Sequence, residues 1–246
     1  MTRSADLVTV AGPGDVPGIW RRDLLMGADG RQDVTTEVTW LQGASTYLDL
    51  RRPPGRPSFA DVGSVLDLSW AQVRWLAGQE AFAGQLVRRG EYFEWSRPLD
   101  LHPPRARPDA GTLERRGDLM VEHGWHEEYV EHWRRLPAPV DPMWARGLSD
   151  AATGARACLL RVGSTFAWAH DARPTLEPGA DLLELVGRST SLGAAQCLVD
   201  FEVSFGGVTS AGWVVTASTL PFREGQPFDP DLSGWTVEYA EGEAVR

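Results

Sequence analysis

The sequence predicts a mainly β protein of two tandem antiparallel barrels carrying a few short helices. Three observations support that expectation. First, the chain echoes itself. Gly18-Ile19-Trp20-Arg21-Arg22 is answered by His132-Trp133-Arg134-Arg135, and Gly43-Ala44-Ser45-Thr46-Tyr47 with Arg51-Arg52-Pro53 by Gly163-Ser164-Thr165-Phe166 with Arg173-Pro174. Gln79 with Trp95 is likewise answered by Gln196 with Trp213. Ordered matches about 113 to 119 residues apart fit one duplicated domain, whereas a solenoid needs three or more short units. Second, short runs alternate with period 2 between Gly- and Pro-rich turn signals. Third, helical signals are brief and isolated.

Taken in order, residues 1–17 carry Gly12-Pro13-Gly14 and Pro17 and read as a loosely held lead-in. Gly27-Ala28-Asp29-Gly30 is a turn between strands, because no Gly-rich helix start follows it. Val34, Thr36, Val38 and Trp40 share one face of a strand, and after the turn at Gly43 to Ser45 the chain returns as a strand over Thr46 to Arg51. Ser69 is placed to cap a helix with Gln72 as its reciprocal partner, Leu68 and Val73 as the hydrophobic staple and Gly78 as the stop. Tyr92 to Arg97 and Asp118 to Glu122 read as strands. Pro98 to Pro108 reads as a loop, because its four prolines cannot donate to a ladder. In the second half Asp181 to Val186 is a short helix, and Val199, Phe201, Val203 and Phe205 alternate as a strand before another at Gly212 to Leu220. The boundaries this implies are a lead-in 1–17, a first barrel 18–123 and a second barrel 124–246.

The 246 residues carry a formal charge of −10, which argues against a nucleic-acid footprint. All 24 cationic residues are Arg and Asn is absent, a bias that points to a GC-rich genome more than to chemistry. The start of the chain shows no secretory pattern and no segment has the length of a membrane span, so a cytoplasmic location is expected. Cys158 and Cys197 are expected to be reduced, buried thiols on strands.

Several strings resemble the fungal and bacterial Hri protein family: Trp20-Arg21-Arg22, Trp40-Leu41-Gln42, Tyr47-Leu48-Asp49-Leu50-Arg51, Gln79-Glu80-Ala81-Phe82-Ala83-Gly84, Glu131-His132-Trp133-Arg134 and Ser218-Thr219-Leu220-Pro221-Phe222-Arg223-Glu224. The resemblance spans most of residues 18–225. It implies two tandem lipocalin-like barrels of the calycin kind, a reading to which the Gly18-Ile19-Trp20 tripeptide also belongs. It brings no catalytic residue, cofactor or ligand.

In small barrels an inward Trp on the first strand packs under an Arg that closes the floor. Trp20 with Arg51 and Trp133 with Arg173 are the expected pairs. Asp49 and Arg51 share a strand face. Facing inward, they can orient a polar group or supply an acid and a base. If instead Gln42 pairs with Thr46, Glu37 stands opposite Arg51 and the set is a surface ion pair. A one-residue shift exchanges these readings. His123, His126 and His132 lie among carboxylates without helical metal-site spacing, and no metal is expected. Read as a strand, Trp125, Glu127, Tyr129, Glu131 and Trp133 share one face. His170 beside Asp171 is a weaker acid–base pair, since neighbours on a strand point apart.

Three functions are open. The first is binding of a small, largely apolar ligand in a barrel or interdomain cleft, with Trp40, Tyr47, Trp95, Trp168 and Trp213 as the aromatic lining. The second is a cofactor-free isomerase, cyclase or hydratase using Asp49, Arg51, Glu94, His126 or His170. The third is an interaction scaffold with both barrels filled. An open pocket of converging ionisable groups favours the enzyme, an open apolar one the carrier, and filled barrels the scaffold.

Overall fold

The computed structural model describes residues 9–244. Its strands are β1 (Thr9–Val10), β2 (Gly18–Gly27), β3 (Gln32–Asp33), β4 (Glu37–Gln42), β5 (Thr46–Arg52), β6 (Glu80–Arg89), β7 (Tyr92–Asp100), β8 (Asp109–Arg116), β9 (Leu119–Gly124) and β10 (Tyr129–Arg135) in the first half. The second half holds β11 (Met143–Ser149), β12 (Arg156–Val162), β13 (Thr165–Asp171), β14 (Phe201–Thr209), β15 (Gly212–Ser218), β16 (Pro227–Phe228) and β17 (Thr236–Glu241). Helix α1 (Trp70–Ala77) follows β5, and α2 (Leu182–Arg188) and α3 (Leu192–Leu198) follow β13.

Eight antiparallel strands close into a barrel in the order β8-β7-β6-β5-β4-β2-β10-β9, with β9 pairing back onto β8. The second half is a seven-stranded antiparallel sheet in the order β16-β15-β14-β13-β12-β11-β17. Its two edge strands do not pair with each other, so hydrogen bonds do not close it. Both halves run five long strands, β2 and β4 to β7 in the first and β11 to β15 in the second, with α1 or α2 and α3 after the third, and both return a late strand onto the first, β10 onto β2 and β17 onto β11.

The sheets pack back to back. Alternation along β5 sends Leu48 and Leu50 outward, where they join Ala81 and Ala83 of β6, Ala167 and Ala169 of β13 and Val203 of β14 in the largest core cluster. The three helices pack on one another at the seam. Helix α1 forms as its caps require: the Ser69 hydroxyl accepts from the Gln72 amide while the Gln72 side chain accepts from the Ser69 amide. Asp181 caps α2 by accepting from the Glu184 amide at 3.0 Å.

Several expectations change. The first barrel does not end at 123, because β10 bonds to both β2 and β9 and completes the ring at Arg135. Trp133 therefore does not open the second half. It stands opposite Arg22 while Arg135 stands opposite Trp20, so the two Trp-Arg-Arg strings are antiparallel neighbours in one barrel. The lead-in is packed from Thr9 on: β1 pairs with β8, and Ala11 and Val16 are buried in the barrel core. Residues 34–36 fall outside β4. Pro98 lies within β7, opposite a bulge at Gly84, where a Cβ would come 1.9 Å from the Ser96 carbonyl oxygen. A bulge relieves the ladder of the missing N–H, so the strand tolerates the proline. Cys158 is buried on β12 as expected, but Cys197 is exposed on α3.

Candidate functional site

Inside the first barrel the apolar and ionic residues separate along the axis. Trp40 of β4 stacks on Trp20 at 6.1 Å and meets Trp95 and Trp133 edge-on at 6.1 and 5.3 Å. These rings fill the floor with Phe93, Leu113 and Met120, and each of them is buried. Their polar edges are satisfied: Trp20 Nε1 donates to the Val16 carbonyl, Trp40 Nε1 to Gln42 and Trp133 Nε1 to Glu122. The expected cation over Trp20 is present, but Arg135 of β10 supplies it at 5.9 Å, not Arg51. Arg173 lies over Phe201 at 4.6 Å, not over Trp133, and its guanidinium donates to the carbonyls of Asp100, Leu101 and Leu198, stitching the halves together.

The other end is an ionic mouth. The turn at Gly43 pairs Gln42 with Tyr47, so Glu37 stands opposite Arg52 and Asp49 and Arg51 point inward. Glu37 and Arg52 form the surface pair at 2.7 Å. Arg51 binds Asp49 at 3.0 Å and Glu131 of β10 at 3.4 Å, while Arg22 bridges Glu131 at 2.6 Å and Asp33 at 2.9 Å. Arg97 of β7 pairs with Asp109 and packs over Phe82 at 3.4 Å. Its Nε is buried without a partner. Tyr129 donates its hydroxyl to Glu122 at 2.7 Å. It lies flat at that point because Gly124 has no Cβ, which would come 2.5 Å from the ring.

Burial sets the titration of these groups, and the guanidiniums oppose it. Asp49 is pushed up to about 6 by burial, with Arg51 pulling the other way. Glu122 is raised by burial and by Glu131, which stands opposite it across β9 and β10. Burial would raise Glu80 too, but Arg51 and Arg105 outweigh it and hold this carboxyl low.

A cavity of about 310 Å³ opens above these residues, lined by Arg51, Glu80, Arg97, Asp109, Tyr129 and Glu131, with exposed His126 at its rim. Asp49 lies behind Arg51 and does not line it. A second cavity of about 410 Å³ lies on the far side of Arg97, between the proline-rich segment after β7 and the ends of β12 and β13. Glu94 lines that one and pairs with Arg89 at 3.4 Å. A third, apolar cavity of about 200 Å³ sits between the sheets beside Leu99, Leu148, Cys158 and Tyr239. Burial pushes the Cys158 thiol up to about 12.

The remaining candidates lie apart from the mouth. Trp40, Tyr47 and Trp95 are buried within the first barrel. Trp168 and Trp213 lie on the inner face of the second sheet, packed by Phe228 and, for Trp168, Trp235. His170 stacks on Trp168 at 6.3 Å, and Asp171 turns away to Arg173. Sequence reasoning missed Arg97, Asp109, Glu122 and Tyr129 as site members. Tyr129 shares the inward face foreseen for residues 125–133, but Arg97 and Asp109 flank prolines and carry no local signal. Among the described residues no group of three or more His, Cys, Asp and Glu is arranged to hold a metal, and no helix is long and apolar enough to cross a membrane.

No protein-family model and no curated protein sequence matches the chain. A solved structure does: the uncharacterized protein YLR301w of Saccharomyces cerevisiae, at 12% identity and a TM-score of 0.54, covering 92% of this chain and 99% of that one. The likeness extends over both sheets and is one of fold.

Proposed function

We propose that this chain binds a small polar molecule at the mouth of the first barrel. The observation that carries the reading is the convergence of Arg51, Arg97, Asp109, Tyr129 and Glu131 on one cavity above a sealed aromatic floor. The cavity is at the lower end of the range for small-molecule sites. The filled floor leaves no room for the apolar ligand that an empty barrel would take, and the apolar cavity between the sheets, at about 200 Å³, is below that range. Mixed guanidiniums and carboxylates suit a zwitterion. An acid–base role is the second reading. It is favoured by the Tyr129–Glu122 hydrogen bond, which places a proton donor on the cavity wall in contact with a carboxyl of raised pKa.

We also carry forward the kinship with the Hri proteins and the duplication of one lipocalin-like unit. The matched strand order of the two halves and the buried Gln79 and Gln196, each donating to a carbonyl of the other half, support the duplication. A reducing, cytoplasmic setting suits the two free thiols. Tryptophan fluorescence titrations with free amino acids as zwitterionic probes and 1-aminoanthracene as an apolar probe test the binding reading. A saturable amino-acid response that Tyr129→Phe weakens at unchanged melting temperature is the expected result. Saturation by the apolar dye alone would restore the apolar-carrier reading, and no response to either probe would favour the scaffold.

A further inference from the structure

We propose that the larger cavity, between the proline-rich segment 101–108 and the ends of β12 and β13, is a binding site for a compact organic phosphate. Arg97, Arg105, Arg107 and Asp109 also line the barrel mouth, but Arg156, Arg173, Pro174 and Leu176 line this cavity and not the mouth, so the site does not rest on the reading of the mouth. Its wall carries five guanidiniums, Arg97, Arg105, Arg107, Arg156 and Arg173, and four carboxylates, Glu94, Asp100, Asp109 and Asp171.

Each of the carboxylates is already engaged. Asp109 and Asp100 pair with Arg97, the latter at 3.8 Å, Asp171 pairs with Arg173 at 2.9 Å, and Glu94 pairs with Arg89 at 3.4 Å. Arg105 reaches Glu80 at 3.3 Å. Arg107 and Arg156 have no ion-pair or hydrogen-bond partner among the described residues, and both are exposed to the cavity. The two free guanidiniums share this one wall in a chain of net charge −10. Arg97 adds a third donor: its side chain is only 10% exposed, yet its Nε has no acceptor. A buried donor without an acceptor is costly unless a ligand supplies one.

Part of the remaining wall, with Pro98, Pro104, Pro174 and Leu176, is apolar and suits the body of an organic ester. Guanidiniums match the geometry of phosphate oxygens by paired hydrogen bonds, and two free ones balance a dianion.

Phenyl phosphate, benzoate and inorganic phosphate are the probes, with binding followed calorimetrically on the full chain at constant ionic strength. Phenyl phosphate is expected to bind, inorganic phosphate more weakly for want of the apolar wall, and benzoate more weakly for want of the second charge. Arg107→Ala and Arg156→Ala should each weaken phenyl phosphate about tenfold, and the double variant should abolish binding with melting temperature unchanged. Arg156 lines this cavity and not the barrel mouth, whereas Tyr129 lines the mouth alone. Phenyl phosphate binding should therefore survive Tyr129→Phe. Undiminished binding by the double variant, equal binding of all three probes, or no binding by the parent would each overturn the proposal.

Discussion

In the first half Trp40 touches Trp20, Trp95 and Trp133 inside a ring of eight strands. In the second, Trp168 and Trp213 sit on an open sheet and are covered by Phe228, Leu232 and Trp235, which the chain supplies between β15 and β17. The strand order is alike, but the closures differ. A ring closed by hydrogen bonds has no edge to protect, so its open end can hold a charged network that partly faces water. A sheet closed by side chains must spend its inner face on packing. That is why the ionic mouth lies in the first half, and why His170, stacked on Trp168, is held by aromatic packing and remote from the mouth.

The largest effect expected from this contrast is on the tryptophans. Trp40→Ala removes the hub of a sealed floor and should cost about 3 to 5 kcal/mol, whereas Trp213→Ala, at a half-buried site on the open sheet, should cost about half as much or less. Denaturant melts of both variants beside the parent measure the difference, and equal losses would mean the second sheet is packed as tightly as the first.

Next comes the ionic mouth. Arg51→Ala strands Asp49 and weakens the hold on Glu131, and breaking one partner of a buried pair costs about 3 to 5 kcal/mol. Asp49→Asn should cost less, because the amide keeps an acceptor and burial already disfavours the carboxylate. The sign with pH follows. Asp49 titrates at about 6 in the fold, above its ordinary 3.8, so the folded chain holds its proton more tightly. Its contribution is complete below pH 4 and is lost as the pH rises through about 6. Melting temperatures of the Asn variant should therefore lose less between pH 4 and 6 than those of the parent, and parallel profiles would show that Asp49 does not titrate there.

A smaller effect is expected where the second half reaches back to the first. Glu241 of β17 accepts from the backbone amides of Ser45 and Thr46 at 3.1 and 3.2 Å and from both their hydroxyls, Thr46 Oγ1 at 2.8 Å. Burial would raise this carboxyl, but the Ser45 and Thr46 bonds outweigh it and hold it low, so its contribution is present above its ordinary range and is lost on acidification. Glu241→Ala should cost about 2 kcal/mol at neutral pH and progressively less in acid. A penalty independent of pH would assign the effect to packing. The smallest change is at the surface, where Arg52→Ala breaks pairs with Glu37 and Glu224 and should cost no more than about 1 kcal/mol, measured as a melt in low and high salt.

Much of this was legible locally. Alternation put Asp49 and Arg51 on one face and Tyr129, Glu131 and Trp133 on another, the Ser69 cap marked one helix, and the turns at Gly27 and Gly43 are where the composition puts them. Such signals need only a few consecutive residues, because side-chain direction has a period of two in strands and caps act within one turn. The tertiary structure alone decided three things. It fixed the register at Gly43, where one residue's shift separates a buried Arg51 from a surface one. It assigned the second Trp-Arg-Arg string to the strand that closes the first barrel, since neighbouring antiparallel strands that both send a Trp to the floor and an Arg beside it can look in sequence like the openings of two domains. It brought Arg97 and Asp109 across the proline-rich segment to the mouth. Each depends on which strands become partners, a choice set by burying one face of the whole sheet and therefore absent from any short stretch of chain.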